Sequence, residues 1–346
     1  MATTTTTSTA PAVASGQAEA RPTLKPMPAS WRWGSLLLVL TIAIVLPLTP
    51  FVTDYRVFQI TLALVYAIAL LGLNILTGFN GQISLGHGAF YAIGAYTAAI
   101  LMDKFDVPYW ATIPAAGLVC LAFGFLFGLP ALRLEGHYLA LATFALAVAT
   151  PQLLKYKHFE EWTGGVQGIV IIKPSAPFGL PLSDDRWLYY VTLFVLVVMF
   201  WAGWNLLRGR TGRALVALRD HHIAAVAMGV NAAMYKSLTF GVSALYTGVA
   251  GALGAIVVQF VAPDSFTIFL SITLLVGVVV GGLASISGAI FGGIFVQFIP
   301  NIAEGISKAA PWAIYGIFLI GFMYVMPQGI AGFIRMVWTK WRLKRG

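Results

Sequence analysis

The chain has 346 residues, of which 59% are hydrophobic and only 10% are charged, and its formal net charge is +9. Soluble domains carry charge on about a quarter of their residues, so this composition excludes a soluble fold with a surface that faces water. In lipid the backbone must bond internally, as helices or as a closed barrel. The apolar runs are long and do not alternate with period two, which predicts an all-α, polytopic membrane protein.

Residues 1–30 are rich in Thr, Ala, Pro and Ser, a composition typical of disordered segments. We expect a disordered cytoplasmic tail here. No basic segment followed directly by an apolar core begins the chain, so the first apolar helix is expected to serve as the insertion signal. The predicted permease domain covers 31–335, and a basic cytoplasmic tail covers 336–346. The single cysteine, Cys120, excludes an intrachain disulfide and any CxxC site.

The apolar segments predict about ten transmembrane helices. The stretch from Phe266 to Pro300 is too long for one span at about 1.5 Å per residue, and its central glycines and serines favour a turn. The predicted spans are 33–50, 57–77, 83–102, 109–130, 138–155, 187–207, 237–260, 267–283, 286–301 and 312–334.

The distribution of charge tests this count. With ten spans and both termini inside, most of the 21 basic residues fall in the inner segments and most of the 12 acidic residues in the outer loops. This is the positive-inside asymmetry, and it explains the basic balance without nucleic acid as a partner. No charged residue falls in the middle of a span, which argues against a proton-driven carrier.

The segment 71–101 combines polar amides with many glycines. One interpretation is a broken or re-entrant element beside a substrate path, where the backbone offers N–H groups to a carboxylate. The other is a short cytoplasmic turn followed by a helix that packs through small residues. The residues predicted to line the path are Asn74, Asn80, Gln82, Ser84, His87 and Tyr91, and the shaping glycines are Gly78, Gly81, Gly86 and Gly88.

The loop 208–236 is the longest inner segment between spans. Residues 214–228 predict one short helix with Leu215, Leu218 and Ala225 near one face, ended by Gly229 as a C-cap. Such a helix suits docking to a partner, or an interfacial position on anionic lipid. A second glycine-rich stretch, 277–293, contains Gly282 and Gly288 and loosely echoes 81–86, so an internal duplication is possible.

Three stretches resemble one family: GLNILTGFNGQISLGHGAFYAIGAYTAA, TGRALVALRDHHIAAVAMGVN and GGLASISGAIFGG. They are similar, in order and spacing, to permeases of branched-chain amino acid ABC importers, and above all to the M-type subunit. The resemblance covers about residues 57–335. Two departures are Val226, where the family often has an acidic residue, and Ala284 with Ala289, where it usually has Gly and Pro.

The resemblance implies a bacterial inner-membrane subunit with cytoplasmic termini that transports leucine, isoleucine or valine. It implies a second homologous permease, two ATP-binding subunits and a periplasmic solute-binding protein as partners. It also implies that the inner helix couples to an ATPase, with Arg213, Arg219, Asp220, Ala224, Ala225 and Gly229 as the coupling residues. ATP and magnesium would be used by the partners, because this chain contains no GxxxxGK[ST] loop. No cofactor, metal site or catalytic residue is expected in it.

Three alternatives remain at this level. Related permeases transport urea, short amides or other amino acids, and the sequence does not distinguish these substrates. An intramembrane serine hydrolase would use Ser84 and His87, three residues apart, although Leu85 rather than glycine follows the serine. A channel or an ion-coupled carrier would need the buried ionisable groups that the predicted spans lack.

Overall fold

The computed structural model describes residues 34, 38, 40–49, 52–131, 134, 136–177, 182–306, 308 and 311–343. The chain separates into two compact units, residues 1–49 and 50–346. In the first unit, residues 40–45 are helical and a 3-10 turn follows at Leu46–Leu48. The predicted tail over residues 1–30 lies outside the described residues, as do the last three residues of the predicted C-terminal tail.

The described residues of the second unit form helices and their connecting loops, together with one short ribbon of two antiparallel strands in which Ile169 pairs with Val261. The strands are β1 (Ile169–Val170) and β2 (Phe260–Val261). The helices are α1 (Asp54–Asn74), α2 (His87–Phe105), α3 (Tyr109–Ala131), α4 (His137–Leu154), α5 (Glu160–Thr163), α6 (Asp184–Arg208), α7 (Arg210–Asp220), α8 (His222–Ala227), α9 (Ala232–Val258), α10 (Ile268–Gly281), α11 (Gly288–Ile306), α12 (Pro311–Val325) and α13 (Gly329–Leu343).

Seven helical segments in the described part of the chain are long and apolar enough to cross a bilayer. They are Asp54–Phe79, Tyr109–Pro130, His137–Leu154, Asp184–Arg208, Ala232–Val258, Gly288–Ile306 and Ala313–Lys340. Helix α10 is apolar but has only 14 residues. The prediction of an all-α, polytopic membrane protein is therefore confirmed, whereas the count of ten spans is not.

Helix α9 forms the centre of the second unit and packs against α1, α2 and α3. Its glycines bring backbones into direct contact: a Cβ on Gly248 would overlap Cys120 of α3, and one on Gly251 would overlap the carbonyl of Tyr91 on α2. Small residues allow this close approach of membrane helices, where dispersion replaces the hydrophobic effect as the attraction. Cys120 is buried at this contact and has a packing role.

The two ends of the second unit differ in charge. At one end, which we call the acidic end, Asp54 pairs with Arg186 at 3.2 Å and Asp185 pairs with Lys173 at 2.7 Å. The β1–β2 ribbon connects to the same end. At the other, the basic end, lie the inner turns after α1 and α10 together with α7, α8 and the start of α13. The described basic residues of this end include Arg208, Arg210, Arg213, Arg219, Lys236 and Arg335.

The structure corrects two predicted boundaries. The span predicted over 83–102 starts only at His87, because residues 80–86 are not helical. The helix predicted over 214–228 is two helices, α7 and α8, broken at His221, whose φ of −148° and ψ of 84° are not helical. Residues 336–343 of the predicted C-terminal tail are helical and belong to α13, and the cytoplasmic tail itself stays a prediction. The division of 266–300 into two helices is confirmed.

Candidate functional site

Between α1 and α2 the chain turns at the basic end and returns into the bundle before α2 begins. A π-helix (Ile75–Phe79) extends α1 to the basic end, and residues 80–86 then return as non-helical backbone to His87. His87 is hydrogen-bonded to Ser243, which bonds the carbonyl of Gly72. Gly72 lies seven residues before the end of the π-helix, about 10 Å at the rise of an α-helix. Helix α2 therefore begins within the body of the bundle.

Alternate residues of this returning segment face opposite directions. Gly81 and Ile83 are exposed, whereas Gln82, Ser84 and Gly86 are buried. Period-two burial is the pattern of extended backbone with one face packed. Backbone groups at membrane depth need partners, and here Thr143 of α4 supplies one, because its Oγ accepts a hydrogen bond from the N–H of Leu85 at 2.9 Å.

A directed chain of hydrogen bonds passes through His87. Ser243 Oγ lies 2.6 Å from the carbonyl oxygen of Gly72 and 2.6 Å from His87 Nε2. A carbonyl only accepts, so Ser243 donates its proton to Gly72 and accepts from Nε2–H. In the neutral ring Nδ1 is then the acceptor for the Ser84 hydroxyl at 3.0 Å. The geometry thus assigns the Nε2–H tautomer and ties α1, α2 and α9 together.

Ser84 and His87 are enclosed by protein. Their exposed fractions are 0% and 1%, and the His87 ring packs against Phe90 and Phe240 with ring centroids 5.9 and 6.3 Å away. A hydrolase nucleophile must reach a substrate carbonyl, and the Ser84 hydroxyl has no exposed surface from which to do so. The arrangement serves to hold helices together and argues against the intramembrane serine hydrolase.

The remaining predicted path residues are also buried. Asn80 Nδ2 donates to Gln82 Oε1 at 3.0 Å, while Asn80 Oδ1 has no partner in the described structure. Tyr91 lies on α2, where its ring stacks near Tyr66 at 6.4 Å and packs against Phe266 at 6.1 Å. The assignment of these side chains to a substrate path stays a prediction.

Asn74 joins the end of α1 to the turn between α10 and α11. Its Oδ1 accepts from the N–H of Ala284 at 2.9 Å, and its Nδ2 donates to the carbonyl oxygens of Ser285 and Gly282 at 2.8 and 3.3 Å. Gly78 lies directly beneath this amide, where a Cβ would overlap Asn74 Oδ1. The structure thus brings Asn74, Gly78 and Gly282 together, and Gly288 starts α11 with its N–H on Ser285 Oγ at 3.3 Å.

Helix α10 is a second element that starts inside the bundle. A 3-10 turn, Pro263–Phe266, leads into it from the acidic end, and no side chain caps its first turn. Ser271 Oγ accepts a hydrogen bond from the N–H of Gly88 at 2.9 Å. The first turns of α2 and α10 are therefore in contact. Sequence reasoning missed Ser271, Ser243 and Thr143, for which the available signal was a small hydroxyl residue within an otherwise apolar helix.

The α7–α8 segment covers the basic end. Leu215, Leu218 and Ala225 are buried, as the predicted common face requires. Gly229 follows α8 with a φ of +85°, the left-handed conformation typical of the residue after a helix. Ile223 and Met228 each have 85% of their surface exposed, so α8 presents apolar side chains outward.

The predicted coupling residues differ in their contacts within the chain. Arg219 bonds to Gly78 of the same chain, and its Nε also donates to Asp220 at 2.9 Å. Arg213 and Ala224 are exposed. The role of all the predicted coupling residues in coupling stays a prediction. Among the described residues, no group of three or more His, Cys, Asp or Glu side chains is placed to hold a metal ion.

Comparison with known proteins identifies relatives over this whole body. Residues 55–327 match the family described as the permease component of branched-chain amino acid transport systems. The chain is 34% identical to the high-affinity branched-chain amino acid transport system permease protein LivM of Escherichia coli, over 90% of this chain and 76% of LivM. It is 24% identical to LivH of the same organism, over 79% and 93%. It is 27% identical to BraD of Pseudomonas aeruginosa, over 68% and 81%. No solved structure matches it significantly.

Proposed function

The chain belongs to the family of permease components of branched-chain amino acid transport systems, and we propose that it is the transmembrane subunit of an ATP-driven importer of leucine, isoleucine and valine. The observation that carries this proposal is the 34% identity to LivM over 90% of the chain. The family match over residues 55–327 includes the broken elements and the α7–α8 segment, and it is too extensive to reflect a shared membrane composition alone. The chain is a transport subunit and not an enzyme.

The proposed partners of the chain follow from its membership of this permease family. The chain is similar to two differently named permease proteins of one organism, LivM and LivH, which supports a second homologous permease beside it. Two ATP-binding subunits and a periplasmic solute-binding protein complete the proposed importer. ATP and Mg²⁺ are used by the ATP-binding subunits, and this chain binds neither.

The basic end is the proposed cytoplasmic side of the bacterial inner membrane, with both termini inside. The charge difference between the two ends supports this orientation, since basic loops remain in the cytoplasm. Helix α8 is then the site where an ATP-binding subunit docks. Ile223 and Val226 on α8 and Met228 directly after it are exposed. They support this docking site, because exposed apolar side chains beside the membrane commonly mark a protein interface.

Transport proceeds, in this proposal, by rocking of the two permeases between outward and inward openings. The binding protein delivers a zwitterionic amino acid to the acidic end, and closure of the ATP-binding subunits moves α7 and α8. The two helices that begin inside the bundle, α2 and α10, support a role in shaping the path, since discontinuous helices commonly surround transporter substrate sites.

Uptake of radiolabelled leucine tests the proposal. A bacterial strain without its own branched-chain importers would express this chain together with its neighbouring genes. We expect uptake that excess isoleucine or valine competes and that urea or acetamide does not. Removing the ATP-binding subunits should abolish it. Competition by urea alone would overturn the substrate, and uptake that survives without those subunits but collapses with the proton gradient would overturn the ATP-driven mechanism.

A further inference from the structure

The cytoplasmic-loop helix α7 is tied directly to the end of α1. Arg219 Nη1 donates a hydrogen bond of 2.7 Å to the carbonyl oxygen of Gly78. The methylenes of the same side chain lie over Gly81, where a Cβ would be 2.8 Å from Arg219 Cγ. A guanidinium bonded to a carbonyl makes a charge-assisted contact, which is stronger than a neutral one. A displacement of α7 would therefore act on Gly78.

Gly78 in turn touches the amide of Asn74 and the turn that follows α10. A Cβ on Gly78 would overlap both Asn74 Oδ1 and the backbone nitrogen of Ala284. Asn74 is 1% exposed, and its amide makes three hydrogen bonds to the turn. The Gly78 carbonyl faces α7 while its Cα faces the turn. The π-helix that contains Gly78 cannot shift without moving against α7 or against the turn after α10, because packed interiors leave no free space.

The turn after α10 holds unusual backbone conformations. Ala284 has a φ of +56°, and Gly282 a φ of +120°. A non-glycine residue in the left-handed region persists only where its surroundings hold it. Asn74 supplies that support, because it bonds the N–H of Ala284 and the carbonyl oxygens of Ser285 and Gly282. Loss of the Asn74 amide would therefore release the turn.

Helix α10 connects this turn to the start of α2. Its 14 residues make a rod about 21 Å long. One end is followed directly by Gly282, which Asn74 binds, and the other end carries Ser271, which binds the N–H of Gly88. The two ends of α10 are therefore attached to the basic-end turn and to the break before α2.

We propose that Arg219, Gly78 and Asn74 form a mechanical link through which α7 positions α10. These residues are positioning residues, and α10 is the element that the link moves against α2. The inference rests on the proposed function for the force that moves α7. The π-helix Ile75–Phe79 at the end of α1 is the element on which the link acts, and π turns are frequent at functional sites. Gly78 lies within this π-helix.

Hydrogen–deuterium exchange in the purified full-length permease tests the link without any partner. In Asn74→Leu we expect exchange over residues 282–287 to be about tenfold faster, as for a lost buried hydrogen bond. Arg219→Gln should accelerate the same segment, and Arg219→Lys less so, because lysine retains one donor. The matched control is Arg210→Gln, because Arg210 lies on the same helix, is exposed and has no described side-chain hydrogen bond. Equal exchange in Arg219→Gln and Arg210→Gln would overturn the link.

The assembled importer supplies the second readout, the amino acid transported per ATP hydrolysed. Arg219→Gln should keep its ATP-binding subunits and its ATP hydrolysis but lower this ratio at least about fivefold, the size of a typical coupling between sites. Arg210→Gln should leave it unchanged. Loss of the ATP-binding subunits from Arg219→Gln would overturn the link, because Arg219 would then be a docking residue. If the parent chain itself carries no ATP-binding subunit, the proposed function fails, whereas the exchange result stands separately.

Discussion

The N–H of Gly88 donates a hydrogen bond to Ser271 Oγ, and through it the first turns of α2 and α10 meet inside the membrane body. Both helices begin after non-helical backbone, one entering from the basic end and the other from the acidic end. Helix starts leave N–H groups without helical partners, and in lipid each unsatisfied group is costly. A serine hydroxyl from one broken helix thus satisfies a donor of the other.

Replacement of Ser271 by alanine should therefore destabilise the protein. The Gly88 N–H would lose its acceptor, and a buried unsatisfied donor costs about 1–3 kcal/mol. Thermal unfolding of the purified protein in detergent measures the loss. Thr273→Ala is the matched control, because the Thr273 hydroxyl bonds only to Phe269 within its own helix. Equal melting temperatures for the two variants would contradict the importance of the Gly88 contact.

His87 should tolerate an amide better than a hydrocarbon ring. Phenylalanine would fill the site but leave Ser243 and Ser84 without their shared partner, at a cost of about 1–3 kcal/mol. In His87→Gln the side-chain NH₂ can still donate to Ser243, so we expect a smaller loss. Unfolding temperatures of the two variants provide the comparison. A His87→Phe protein as stable as the parent would show that the hydrogen-bond chain contributes nothing.

The glycines between α2 and α9 should be irreplaceable, unlike those of α12. A Cβ on Gly94 would overlap the carbonyl of Gly248, whereas nothing lies within 4 Å of a Cβ on Gly316. Gly94→Ala should lower both the yield of folded protein and its unfolding temperature. Gly316→Ala should be neutral or slightly stabilising, since alanine favours a helix by about 1 kcal/mol over glycine. Size-exclusion chromatography and thermal unfolding distinguish the two outcomes.

Much of the fold could be predicted from hydropathy and charge alone. The division of the long stretch 266–300 is confirmed because a helix cannot span that many residues in one crossing. The start of α2 was placed too early, at residue 83, since Ile83 and Leu85 extend the apolar stretch of α2 in the sequence, and hydropathy does not show that residues 80–86 are non-helical. The break at His221 was missed because Ala-rich sequence on both sides favours a helix throughout.

The candidate site was less predictable, because its partners come from distant parts of the chain. Asn74 and Gly282 were both selected from the sequence, but nothing in their spacing indicates that the amide binds the turn 208 residues away. The coupling role of Arg219 stays a prediction, and nothing in the sequence indicated that its guanidinium binds Gly78 of its own chain. Local pattern identifies polar residues in apolar helices, and only packing decides what they contact.

Helix α8 provides the last prediction, which concerns the docking of the ATP-binding subunits. Ile223 and Met228 are each 85% exposed, so Ile223→Asp and Met228→Asp should leave the unfolding temperature nearly unchanged, as exposed substitutions change stability by only about 0.5 kcal/mol. The same variants should lose the ATP-binding subunits during copurification, since a buried, unpaired charge opposes an apolar interface. Ile172→Asp is the control, because Ile172 is 88% exposed at the acidic end and should retain those subunits. Normal copurification of both α8 variants would show that the ATP-binding subunits dock elsewhere.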